Sequence, residues 1–93
     1  MDKPWTLMDT HGIVLFYIAA TPDSTLREIS EVLGFTERRI SQVVKDLAEA
    51  EMLLIAKVGR RNSYAVNPDA TFRHPTLSHI SLGTFLRVLH DEM

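Results

Sequence analysis

The stretch Thr25–Leu47, TLREISEVLGFTERRISQVVKDL, encodes two short helices separated by a sharp break. Thr25 with Glu28 three residues on is a capping box. The threonine hydroxyl can accept from the Glu28 N–H while the glutamate reaches back to the Thr25 N–H. Leu26, Ile29, Val32 and Leu33 recur at helical spacing and are expected on one face. Gly34 follows where a left-handed residue costs least, and apolar Phe35 can plug the corner. Thr36 is a second N-cap, and Ile40, Val43, Val44 and Leu47 form the next apolar stripe. Helix, glycine turn and capped helix make the helix-turn-helix pattern, in which the second helix offers its outer face to a major groove.

Outward from this stretch, Met1–Leu7 is a short arm containing Pro4 and Trp5. A helix is expected from about Asp9 to Ala20. Ile13, Val14, Leu15, Phe16, Tyr17 and Ile18 make it apolar on nearly every side, so it needs cover from more than one direction. Thr21–Ser24 reads as a turn. Beyond the second helix, Met52–Val58 reads as a strand, Gly59–Asn62 as a basic turn, and Ser63–Asn67 as a returning strand that Pro68 ends. Asp69–His79, with Pro75, is an irregular connector. Ser81 can cap a last helix carrying Leu82, Phe85, Leu86, Leu89 and Met93 at helical spacing. The expected fold is a single domain over 1–93, mainly α with a small β-hairpin (α+β). Its parts are a first helix at 9–20, helices at 25–33 and 36–51, a wing hairpin at 52–67 and a C-terminal helix at 81–92.

Composition bounds what such a domain can do. Ninety-three residues make one domain with a modest core. A hydrophobic content of 45% argues against disorder. The absence of cysteine excludes disulfides and thiolate metal sites, and fits a reducing compartment. The longest apolar run, Ile13–Ala20, is too short to span a bilayer, and the acids Asp2 and Asp9 before it are unlike the basic leader of a signal peptide. The net charge of −2 runs against nucleic-acid binding. Its distribution runs the other way: seven of the ten basic residues (Arg27, Arg38, Arg39, Lys45, Lys57, Arg60, Arg61) lie between Thr25 and Arg61. Six acids share that stretch, leaving a local net charge of +1.

Three helices followed by a two-stranded hairpin is the winged-helix order. The stretch LREISEVLGFTERRISQVVKDLAEAEMLLIAKVGRRNSYAVNP, nearly half the chain, resembles the small winged helix-turn-helix transcriptional regulators of the prokaryotic MarR/ArsR-like superfamily. The FRHP segment and the final helix are similar to the tail of a compact MarR-like group. The resemblance implies that Thr36 opens the recognition helix. It also implies that Glu37, Arg38, Arg39, Ser41, Gln42 and Lys45 can face DNA, with Arg60, Arg61 and Asn62 at the wing tip. One departure stands out. Where the family has glycine between recognition helix and strand, this chain has Glu51. Glutamate disfavours φ > 0, so the helix is expected to end differently.

Chemistry can then be assigned to the candidate residues. Arg38 and Gln42 can make bidentate contacts to guanine and adenine edges, and Ser41 is small enough for close approach. Glu37 can accept from cytosine or merely favour the helix N-terminus. Arg60 and Arg61 can reach phosphate or the minor groove. Thr25 and Thr36 are caps first, with any phosphate contact secondary. Arg38, Arg39 and Lys45 equally suit a solvated helix face. His79 and His90 are eleven positions apart, a spacing some ArsR-like sensors use for metal, but Leu77 and Met93 stand where that pattern needs acids. No metal site and no cofactor are therefore expected. Nothing in the chain combines residues into an active site, and no enzyme is expected.

The expected function is a sequence-specific DNA-binding transcriptional regulator in the prokaryotic cytoplasm, at the nucleoid when bound. It would occupy an inverted-repeat promoter site as a homodimer joined by Trp5, Leu82, Phe85, Leu86, Leu89 and Met93. The partners would be double-stranded DNA and a second copy, with no membrane and an unknown small-molecule effector. Three readings stay open beside it. One is a winged-helix protein–protein interaction module in a larger complex. Another is a membrane- or small-molecule-binding module, in which the apolar first helix would line a pocket instead of a dimer core. In the third, the last helix folds back onto its own first helix.

Overall fold

The computed structural model describes residues 5–92. Its elements run α1 (Thr10–Ala20), α2 (Leu26–Leu33), α3 (Glu37–Glu49), β1 (Leu53–Val58), β2 (Arg61–Val66) and α4 (Leu82–Glu92). Three helices, an antiparallel hairpin and a closing helix form an α+β globule in a winged-helix-like arrangement.

Each helix starts where its capping residue stands. Asp9 accepts from the Gly12 N–H at 3.0 Å and opens α1. Thr25 accepts from Glu28 N at 3.1 Å, the Glu28 carboxylate accepts from Thr25 N at 3.4 Å, and the capping box is complete. Thr36 accepts from Arg39 N at 3.1 Å and opens α3. Ser81 accepts from Thr84 N at 3.1 Å and opens α4. Gly34 ends α2 at φ 78°, the left-handed conformation expected of it.

The core joins Val14, Leu15 and Ile18 of α1 to Ile29 of α2 and to Ile40, Val43, Val44 and Leu47 of α3. Leu53, Tyr64 and Leu82 close it from the hairpin and α4. Two details of α2 differ from the sequence reading. Val32 is 63% exposed, and Ser30 is buried in its place. Val32 stands roughly 100° around the helix from the Leu26–Ile29–Leu33 stripe, at 100° per residue, which brings Ser30 inward. The Ser30 hydroxyl donates to the Arg27 carbonyl at 2.7 Å, so the buried polar group is satisfied.

The exit from α3 also departs from expectation. Glu51 adopts φ 59° instead of avoiding it. The Glu51 N–H donates to Ala48 O and the Met52 N–H to Leu47 O, both at 3.0 Å, which is a Schellman ending. The two hydrogen bonds and the pull of Leu53 into the core hold glutamate where glycine would be unstrained.

The hairpin turn is tighter than expected. Val58 pairs with Arg61, so only Gly59 and Arg60 form the loop, and Arg61 and Asn62 belong to β2. Gly59 at φ 64° begins this two-residue loop, as type II′ turns require. β2 also leans on the α1–α2 turn. Tyr64 N donates to Pro22 O at 3.4 Å, and Arg61 Nη2 donates to Asp23 O at 2.7 Å.

The connector to α4 is closed at its ends. Thr71 bridges Ser81, and Leu82 N donates to Ala70 O at 2.7 Å. No helix among the described residues is long and apolar enough to cross a membrane.

Candidate nucleic-acid interface

The burial of Ile40, Val43, Val44 and Leu47 sets the orientation of α3. At 100° per residue, Arg38, Gln42, Lys45 and Glu49 point roughly opposite the buried stripe. Ser41 lies toward the hairpin and Asp46 toward α1. Glu37, Arg38, Arg39, Ser41, Gln42 and Lys45 are all exposed. Thr25 and Thr36 have their hydroxyls engaged as caps.

The fold brings together residues from distant parts of the chain. A groove between α3 and the hairpin is lined by Ser41 and Lys45 on one wall and Ile55, Asn62 and Tyr64 on the other. Arg60 projects at the hairpin loop, whereas the guanidinium of Arg61 is tied to the Asp23 carbonyl. The two arginines therefore differ in role, which adjacency in sequence does not reveal. Arg27 pairs with Glu31 at 3.1 Å on the exposed side of α2.

Charge is unevenly distributed around α3. The cleft beyond its C-terminal end is lined by Asp9, Asp46, Glu49, Glu51 and Asp69, with His11 and Arg73 the only basic groups on its wall among the described residues. The N-terminal half of α3 carries Arg38 and Arg39 beside Glu37, at the positive end of the helix dipole.

A hydrogen-bonded chain crosses from α1 to the outer face of α3. His11 Nε2 lies 2.8 Å from Asp46 Oδ2, and Gln42 Nε2 donates to Asp46 Oδ1 at 2.9 Å. The hydrogen bond from His11, then that from Gln42, holds the Asp46 carboxyl below its ordinary range. The i,i+4 spacing of Gln42 and Asp46 permits one half of this chain locally; the His11 half joins residues 35 positions apart and needs the fold.

The residues assigned to a subunit contact are divided by the structure. Leu82 is 1% exposed and belongs to the protomer's own core. Phe85 packs on Phe16 of α1 with ring centroids 5.0 Å apart, and edge-on against Phe72 at 5.5 Å. Leu86 and Leu89 are half-buried, while Val88 at 59% and Trp5 at 85% are exposed. Met93 lies outside the described residues. His79 precedes α4, so it and His90 do not share a helix face, and no cluster of metal-ligating side chains occurs among the described residues.

Comparison with protein-family models, curated proteins and solved structures gave no match, so the functional reading rests on the residues and geometry described above.

Proposed function

We propose that the chain is a sequence-specific DNA-binding regulator of transcription, a compact cytoplasmic member of the MarR/ArsR-like winged-helix group that acts as a homodimer on an inverted repeat. The observation that carries this reading is the exposed face of α3, where Arg38, Gln42 and Lys45 stand beside a groove shared with Asn62 of the hairpin. Thirteen residues make α3 roughly 20 Å long. A helix about 10–12 Å across with its side chains fits a major groove about 12 Å wide. In that pose Arg38 and Gln42 address base edges, Thr36 and the start of α3 meet phosphate, and Arg60 reaches the flanking backbone. Glu37 either accepts from cytosine or serves only the helix dipole. A two-fold axis would set two recognition helices about 34 Å apart, doubling the contacts of a weakly basic domain.

Selection of bound sequences from a random duplex library tests the proposal. An enriched inverted repeat is expected. Replacing Arg38 or Gln42 by Ala should then cost about 1–3 kcal/mol on that site and relax the preference at one base position. Equal losses on selected and random DNA would show that the two side chains touch phosphate alone.

A second reading has its own observation. Leu54, Ile55 and Val58 of β1 are 51%, 45% and 66% exposed on a hairpin with no further strand among the described residues. An apolar outer strand suits a winged helix that binds protein within a larger complex. Absence of heparin retention together with salt-independent behaviour on duplex DNA would favour it.

A further inference from the structure

We propose that Asp46 is a positioning residue that commits the Gln42 amide to adenine in preference to guanine. The inference rests on the DNA reading above and names the base that one of its side chains takes.

Gln42 Nε2 donates to Asp46 Oδ1 at 2.9 Å. An ionised carboxylate only accepts, so the amide nitrogen must face Asp46 and the amide oxygen must face away. Asp46, whose carboxyl is held below its ordinary range by the hydrogen bonds from His11 and Gln42, is ionised at neutral pH, as any aspartate with an ordinary or lower value is. The second oxygen, Oδ2, is held by His11 Nε2 at 2.8 Å, so α1 restrains the carboxylate from behind. His11 is half-buried and Asp46 partly exposed, which leaves Gln42 as the outermost member of the chain.

The consequence is a count of free donors. A free glutamine amide has two N–H donors and one acceptor oxygen. Gln42 has one N–H engaged, leaving one donor and the oxygen. In the major groove adenine offers the N7 acceptor beside the N6 donor, which that remaining pair satisfies. Guanine offers two acceptors, N7 and O6. An unrestrained glutamine can turn both N–H groups toward them, but Gln42 would have to set its oxygen against one.

The test is selection from one random duplex library by the wild type and by Asp46→Ala, Asp46→Asn and Gln42→Ala. The wild type should favour adenine over guanine about tenfold at one position of its site. Gln42→Ala should lose that preference. Asp46→Ala should lose it at the same position, admitting guanine while leaving every other position intact. Asp46→Asn keeps an acceptor oxygen and should restore most of it. Adenine preference preserved in Asp46→Ala, or a uniform loss of affinity with all preferences intact, overturns the positioning role and leaves the DNA reading standing. A favoured base other than adenine at the Gln42 position does the same. A wild type that enriches no sequence overturns both.

Discussion

Asn67 Nδ2 donates to the Glu51 carbonyl at 2.8 Å, and the Asn67 N–H donates to Met52 O at 2.9 Å. The end of β2 thereby clamps the residue that turns the chain out of α3. This clamp, with the Schellman bonds, holds Glu51 at φ 59°, where a side chain costs roughly 1–2 kcal/mol. Glu51→Gly removes that strain at a smaller cost in unfolded-chain entropy. It should raise stability by about 1 kcal/mol, seen as a higher urea midpoint with unchanged slope. A lower midpoint would mean that the glutamate is not strained.

Gly83 makes the opposite prediction. A Cβ there would lie 2.9 Å from Pro68 Cβ and 3.0 Å from Pro68 O, and that carbonyl already accepts from Gly83 N at 3.0 Å. On an exposed helix Gly→Ala stabilises by about 1 kcal/mol. Here Gly83→Ala should destabilise by about 1–3 kcal/mol, because backbone must move. Thermal melts of the two proteins decide the sign.

Acid should act through Asp46. Its folded carboxyl titrates below the ordinary value of 3.8, with the His11 hydrogen bond the leading cause and the Gln42 bond next. A depressed carboxyl contributes stability that is fully present above the unfolded value and lost as pH falls through the folded one. The stability difference between wild type and Asp46→Asn should therefore be constant above that range and shrink below it. Denaturant titrations across the acid limb measure this, and a difference that persists unchanged to low pH would refute it.

The two wing arginines should separate. Arg60→Ala should weaken binding to all duplexes and lower the salt slope by roughly 1 for each protomer, with little change in melting. Arg61→Ala removes the bond to Asp23 O and should reduce stability by up to about 1 kcal/mol. A salt slope indifferent to Arg60 would place the wing away from DNA.

The dimer is tested at Leu89, a half-buried member of the α4 stripe proposed to join the subunits. Leu89→Glu should convert a micromolar dimer to a folded monomer with weakened operator binding, read by sedimentation and circular dichroism. Phe85 is a poor choice, since its ring is engaged by Phe16 and Phe72. A wild type that already sediments as a monomer removes the proposed dimer.

Local chemistry along the chain specifies most of the fold. Caps act within three residues, so Thr25, Thr36 and Ser81 placed three helix starts. Helical spacing put Ile40, Val43, Val44 and Leu47 in the core, and two strand-like stretches around the turn at Gly59 marked the hairpin. These signals involve neighbours along the chain, and their energies need no knowledge of what lies across the molecule.

Tertiary structure decided the rest, because each remaining answer joins residues far apart in sequence. Glu51 is left-handed because Asn67 and the pull of Leu53 into the core hold it there, against its own preference. Arg61 is tied to Asp23 and Arg60 is not, although the two adjoin. Phe85 turns partly inward because Phe16 and Phe72 wait for its ring. His11 acquires a partner only when α1 crosses α3 beside Asp46. Through Asp46 that contact reaches Gln42, on the face proposed to read DNA.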